Sequence, residues 1–438
     1  MAKAANTNTN TNTNTNTTKI KAKVKAKPKA SKPVISQAAE TFARYVATCT
    51  FQQGPIPEER DLTNITFWAG AGFSKAWDER NPVGKELFSF TARQLDNIAN
   101  PTAISRLFGI DAVGSVTPDQ MRQIVYQLDM YERYPDVRGR YVDDQNIRLL
   151  RARVRAEVVR RFHTLAPLNY FDPSREKFPI NAPTAAQRKI LTFFQHMFRQ
   201  ADGSDTFVEG LRPHFITTNY DYVLETIIDN TLGEDDTLFH YTYRGFTPKT
   251  YVDQSNASPM FEHWLSHHLL KINGGFEVLR SGDDYVLDYS HRSANQVARD
   301  PPVLMLPSRE QDYSDPYFKA VFPKAVRLMR DSAALVLVGY SLPEDDALIR
   351  FIIRQFAEEP EDGRRKVIFY IDPFSSRDDK CAALAEVFPS IGATAAPTII
   401  TYEGGFADFT AECLVVWKQI AKAQAAKFQT LPGSDFDD

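Results

Sequence analysis

Apolar residues occur along this chain in short blocks, each broken by a turn-forming stretch. Asn64–Phe67 leads into Trp68 and Ala69 and stops at Gly70-Ala71-Gly72-Phe73-Ser74, which reads as a buried strand entering a glycine turn and a helix. From about Lys85 to Gln200 the spacing is helical, clearest in Arg148–Leu165 and Pro183–Arg199, and no strong strand signal interrupts it. Strand rhythm returns at His214–Thr218, with a helix predicted from Tyr220 to about Thr231. Leu269–Ile272 is a short apolar strand ending at Asn273-Gly274-Gly275, and Ala333–Val338 is a continuous apolar run of the kind covered on both faces. A helix is predicted to start near Pro343, strands at Lys366–Ile371 and Thr398–Thr401, and a closing helix over Ala407–Ala425. Strands alternating with helices predict an α/β fold, a doubly wound parallel sheet, with a helical subdomain inserted at about 85–200.

Composition adds boundaries. The 438 residues suit one large domain, taken as 34–425, or two domains; hydrophobic content of 43% and charge of 24% are ordinary for a globular chain. Residues 1–33 differ: an Asn-Thr repeat gives way to alternating lysines, eight lysines and no acid, so the net charge of −3 leaves −11 on the remainder. With almost nothing to bury, this tail is expected to be disordered; residues 426–438 are taken as a C-terminal tail. A basic arm can touch nucleic acid or an acidic partner, or be merely solvated. The arginine-rich face near Arg148–Leu165 reads as a salt-bridged surface. No apolar run reaches the roughly 18–20 residues that span a bilayer, and the start has no apolar leader, so a cytoplasmic protein is expected. Cys49, Cys381 and Cys413 are scattered, which supports neither a disulfide framework nor a metal site.

Chemistry enters at the strand ends. Gly70-x-Gly72-x-Ser74 offers a tight turn and close backbone approach, but alone it is as well explained by a structural turn as by a phosphate site. The set is more telling. Gly70 to Ser74, Thr217-Thr218-Asn219-Tyr220-Asp221, Gly339-Tyr340-Ser341-Leu342-Pro343 and Ile371-Asp372-Pro373 each follow a predicted strand. In an open α/β sheet such loops line one crevice, where ligands bind. Walker-type loops, H-E-x-x-H and G-x-S-x-G are absent from the sequence.

Taken in order, these motifs resemble the sirtuin-like NAD-consuming domains of bacterial antiphage defence systems, from about Thr63 to Phe374. The resemblance implies a Rossmann-like domain that binds NAD and hydrolyses its nicotinamide–ribose bond, without a metal. It implies that Gly70, Ala71, Gly72, Phe73 and Ser74 hold the pyrophosphate and nearby ribose, with Thr218 beside them. Asn219 would orient a water toward the ribose, and Asp221 would support the nicotinamide end or the loop. Gly339 and Ser341 would face the adenosine half, and Asp372 would accept from ribose hydroxyls. Asp221 also reads as an acid satisfying helix N-terminal amides, a role compatible with the first.

The chain departs from that pattern twice. The family's histidine before glycine is Asn273 here, and an amide takes no proton near neutral pH. Either His240, His267 or His268 supplies a base, or Asn219 and Asn273 position water for slow hydrolysis, or only binding remains. Three cysteines also cannot build the four-cysteine zinc ribbon of sirtuin deacylases, so water is the favoured acceptor. Family habit further implies a regulated effector that depletes NAD, gated by homo-oligomerisation, a partner defence protein or an activating nucleotide. The alternative is an inactive sensor subunit for NAD or ADP-ribose.

Overall fold

The computed structural model describes residues 35–49, 63–111, 114–137, 143–198, 211–231, 242–252, 266–344, 346–357, 366–388 and 397–429. The basic tail, His240 and residues 430–438 lie outside them. The described strands are β1 (Thr63–Ala69), β2 (Phe90–Thr91), β3 (Ser115–Val116), β4 (Leu211–Thr217), β5 (Thr242–Tyr243), β6 (Tyr251–Val252), β7 (His267–Lys271), β8 (Val278–Ser281), β9 (Asp284–Asp288), β10 (Ser332–Val338), β11 (Val367–Ile371) and β12 (Thr398–Tyr402). Seven of them form one sheet in the order β12-β11-β10-β1-β4-β7-β5, and every pairing in it is parallel. This is the Rossmann-like doubly wound architecture expected from the sequence.

Inboard of the exposed edge strand β12, the strands bury both faces by strict alternation, which is why they read as continuous apolar runs. On one face Ile65, Phe67, Ala69, Phe215, Ala334, Val336, Val338, Phe369 and Ile371 pack with the helices Gln37–Cys49, Ala71–Trp77, Ala185–Phe198 and Phe406–Gln429. On the other, Trp68, Ile216, Leu270, Leu335, Leu337, Ile368 and Tyr370 meet the helices Pro316–Asp331, Ala347–Arg354 and Arg377–Val387 and the inserted helical region. The first and last described helices are stitched together. Trp417 Nε1 donates to Ala43 O at 2.9 Å, Ser36 N–H to Glu412 Oε2 at 2.8 Å, and Phe42 lies 5.5 Å from Phe409.

Three readings of the pattern change. The helix Ala185–Phe198, which helical spacing assigned to the end of the insertion, buries Ile190, Phe193, Phe194 and Met197 in the layer covering the sheet. The insertion carries a small antiparallel pair, β2 with β3, in which Phe90 faces Val116; two-residue strands leave no periodic signal. The helix expected from Tyr220 is Val223–Asp229, because Asp221 Oδ1 takes the Val223 N–H at 3.0 Å and holds the preceding residues in a turn.

Candidate functional site

The chain moves from β1 to β4 on one side of the sheet and from β10 to β11 and β12 on the other, so the order reverses between β1 and β10. Ligand crevices form at such a switch point, beyond the carboxyl ends of the strands. Here those ends carry Gly70 and Gly339, and the two loops cross in contact. Gly70 N–H donates to Val338 O at 2.9 Å, Gly72 N–H to Gly339 O at 3.0 Å, and Gly339 N–H to Ile371 O at 3.0 Å. A Cβ on Gly72 would lie 2.6 Å from Gly339 Cα, and Gly339 itself sits at φ +59°. The glycines thus have a structural reason beyond any ligand: only backbone fits in this crossing.

Asn219 ties the β4 end to the same loop. Its Nδ2 donates to Gly70 O at 2.8 Å and to Ser74 Oγ at 2.9 Å. A carbonyl partner can only accept, so this fixes which end of the amide is nitrogen. Both amide hydrogens are engaged, and Oδ1 is the end left to meet a ligand. The backbone beneath is pinned by Thr217, whose hydroxyl donates to Ala69 O at 2.7 Å and accepts Asn219 N–H at 3.0 Å. Ser74 is buried and continues the chain of bonds to the Asp221 carboxylate, which also receives Val223 N–H. Burial raises the Asp221 carboxyl above its ordinary value, against these hydrogen bonds and the nearby Lys271. Asp221 therefore positions Ser74, and through it Asn219. A cavity of about 290 Å³ opens beside Asp221, bounded by Trp77, Asn81, Asn169 and Tyr222.

Behind this lies a group that the sequence reading passed over. Lys271, the last residue of β7, is buried with its Nζ 2.8 Å from Glu225, 2.9 Å from Glu277 and 2.6 Å from Asp221 O. The two carboxylates raise the lysine's pKa against burial, and burial pushes Glu277 upward. A lysine at the end of an apolar strand was the visible signal. Its bond to the Asp221 carbonyl clamps the Asn219–Asp221 turn from below.

Asn273 begins the turn after β7. Gly274 at φ +76° follows it, with Val303 O pressed where a Cβ would stand. Asn273 O accepts Met305 N–H at 2.8 Å, and Gly275 N–H donates to Val303 O at 3.2 Å. The Asn273 Oδ1 is buried with no hydrogen-bond partner among the described residues. His267 and His268 do not come near it. Both lie at the amino end of β7, about 10–13 Å of strand from its carboxyl end. His267 Nδ1 is 2.7 Å from Pro213 O, and His268 pairs with His214. A replacement base from these two is excluded by strand direction.

The remaining loop residues are placed as follows. Ser341 is exposed, between buried Tyr340 and buried Leu342. Leu342 adopts φ +53° ahead of Pro343, a left-handed conformation that costs a branched side chain energy. Asp372 is buried, and its oxygens accept from Phe374 N–H at 2.8 Å and Ser375 Oγ at 3.2 Å. Among the described residues no set of three or more His, Cys, Asp or Glu side chains is placed to hold a metal, and no helix is long and apolar enough to cross a membrane.

An α/β protein with its strand-end loops meeting at this switch point belongs to the broad class of doubly wound, Rossmann-like folds. Residues 213–388 match the family model described as SIR2-like domain. That segment contains Asn219, Asp221, Asn273, Gly339, Ser341 and Asp372, while Gly70–Ser74 precede it. Among solved structures, a Sir2 homologue–NAD complex aligns at TM-score 0.35 and 11% identity, covering 86% of this chain and 94% of that one. A Sir2 enzyme solved in work on mechanism and regulation gives 0.34 and 10%, covering 88% and 100%. Sir2Af2 bound to a myristoylated histone peptide gives 0.34 and 9%, covering 88% and 98%. No curated protein matches the sequence.

Proposed function

We propose that this chain binds NAD in the crevice beyond β1, β4, β7 and β10 and hydrolyses its nicotinamide–ribose bond. The observation that carries the reading is Asn219, held by two hydrogen bonds to Gly70 and Ser74 so that only its Oδ1 faces outward. An acceptor in that position holds a water by its O–H and leaves the water's lone pair free to attack. The polar fit is further supported by the partnerless Asn273 Oδ1 in the adjacent turn, which suits a hydroxyl or amide donor of a bound ligand. Bound NAD supplies a cationic nicotinamide leaving group, so the protein needs to place water and fix geometry rather than provide a strong base. Ser74 and Asp221 hold Asn219; Lys271 holds the turn. In this reading the Gly70–Ser74 loop and Thr218 meet the phosphate and ribose, and Gly339, Ser341 and Asp372 flank the adenosine half. The same reading makes the chain a regulated, NAD-depleting antiphage effector, gated by self-association, a partner or a nucleotide.

A second reading is favoured by Asn273 itself. An amide where a histidine is expected, with the β7 histidines at the far end of the strand, suits a chain that binds NAD or ADP-ribose without turning it over. Incubating the purified full chain with NAD and measuring nicotinamide separates the two. Release that falls at least about a hundredfold in Asn219→Ala supports hydrolysis. ADP-ribose binding with no release from wild type under any activator leaves the binding reading, and failure to bind ADP-ribose refutes both.

A further inference from the structure

Away from the crevice, a cavity of about 1200 Å³ lies between the inserted helices and the segment 300–318. Its walls come from the helices Pro118–Arg133 and Asp144–Leu165 on one side and from Val303–Leu306 and Asp312–Phe318 on the other. Five arginines and five carboxylates line it, and the pairing between them is uneven. Arg151 holds both Asp129, at 3.1 Å, and Glu132. Arg133 faces Asp312 at 3.9 Å, Arg280 holds Asp315 at 2.7 Å, and Asp300 is 3.5 Å from Arg292 outside the cavity. Every carboxylate on the wall thus has a guanidinium.

The converse fails at Arg155. Its Nε is buried with no hydrogen-bond partner among the described residues. Asp129 and Asp315 act on it only through space, and Arg151 and Arg280 oppose its charge. Burial and those two neighbours lower it to about 10, still fully cationic at neutral pH. Arg148, exposed, stands on the same wall about two helical turns away. A guanidinium partly stripped of water, uncommitted to any carboxylate and facing a cavity of ligand size, calls for an anion. Its planar fork matches a phosphate group, and Val303, Leu306 and Phe318 give the rest of the cavity an apolar wall.

We propose that this cavity is a second ligand site, for a phosphate-bearing small molecule that Arg155 meets directly. The proposal stands without the NAD reading. It also bears on it, because the Val303–Met305 wall is the same backbone that hydrogen-bonds the Asn273–Gly275 turn.

The test is isothermal titration of the full chain with inorganic pyrophosphate, alone and with saturating ADP-ribose. Expected are binding to wild type that ADP-ribose leaves in place, a loss of about tenfold in Arg155→Met, and a smaller loss in the exposed Arg148→Ala. Asn219→Ala, which alters only the crevice, is expected to bind pyrophosphate normally. Should Arg155→Met fail to fold, Arg155→Lys keeps the charge without the fork and is expected to bind several-fold more weakly. Cytidine diphosphate binding more tightly than pyrophosphate assigns the apolar wall to a nucleoside; equal affinity assigns the site to the inorganic anion. No binding, affinity unchanged in the arginine variants, or displacement by ADP-ribose overturns the proposal.

Discussion

Replacing Gly72 with alanine tests the crossing of the two glycine loops. The added methyl would stand 2.6 Å from Gly339 Cα, whereas carbon atoms in contact sit about 3.5–4.0 Å apart. The obstacle is backbone, so no rotamer change relieves it, and the loops must part by about 1 Å. Two buried hydrogen bonds cross that seam, from Gly72 N–H to Gly339 O at 3.0 Å and from Gly70 N–H to Val338 O at 2.9 Å. Losing one costs about 1–3 kcal/mol, and forced overpacking adds about 1–3 kcal/mol. Gly72→Ala is therefore expected to lower stability by about 2–6 kcal/mol. Gly84 provides the control, since a Cβ there meets nothing within 4 Å; Gly84→Ala should stay within about 0.5 kcal/mol of wild type or gain slightly. Urea unfolding followed by tryptophan fluorescence reads both, with Trp68 two residues ahead of the loop. Equal midpoints for the two variants would refute the argument that the glycines are fixed by each other.

Two further outcomes follow from buried ionisable groups. Burial raises the Asp221 carboxyl, and a raised acid loses its stabilising contribution as pH climbs through the folded-state value. Asp221→Asn keeps the shape and an acceptor for Val223, so at pH 7.5 its urea midpoint is expected to equal or exceed that of wild type while nicotinamide release falls at least about tenfold; a clear loss of stability would show that the charge is needed for folding. His267 is held at about 3 and His214 well below its ordinary value, both chiefly by burial. A depressed histidine contributes stability above the unfolded value of about 6.5 and loses it as pH falls, so urea midpoints should drop between pH 7 and pH 5, and a flat profile there contradicts the burial of these rings.

What the sequence made legible, it did through alternation and punctuation. Ala333–Val338 announces a doubly covered strand because nothing in it could face water, and each strand end carries a glycine, an asparagine or an aspartate. Other features leave no local trace. Thr242–Tyr243 joins the sheet edge with two residues, too few for a period to show. The helix Ala185–Phe198 has the same apolar spacing as the inserted helices, and only tertiary packing decides which core it enters. The roles of Gly70, Gly72 and Gly339 were read toward a ligand, whereas much of their necessity lies in one another. Lys271 was hidden because its partners, Glu225 and Glu277, come from different segments. Its buried network emerges only when β7 is set beside the Tyr220–Asp221 turn.

The stitching of Gln37–Cys49 to Phe406–Gln429 has a consequence for how the chain is made. Phe42 packs on Phe369 of β11 as well as on Phe409, so one wall of the sheet is assembled from the earliest and the latest of the described segments. A ribosome adding about 5–20 residues per second releases β1 and β4 about ten seconds or more before Trp417. Until Trp417 emerges, Phe67, Val336 and Phe369 lack part of their cover, and a product cut short before Phe406 keeps that face open. Such a fragment is expected to be a substrate for chaperones and proteases rather than a weakened version of the whole, and the loops that cross at Gly72 and Gly339 would gain their rigid footing only once the helix Phe406–Gln429 is in place.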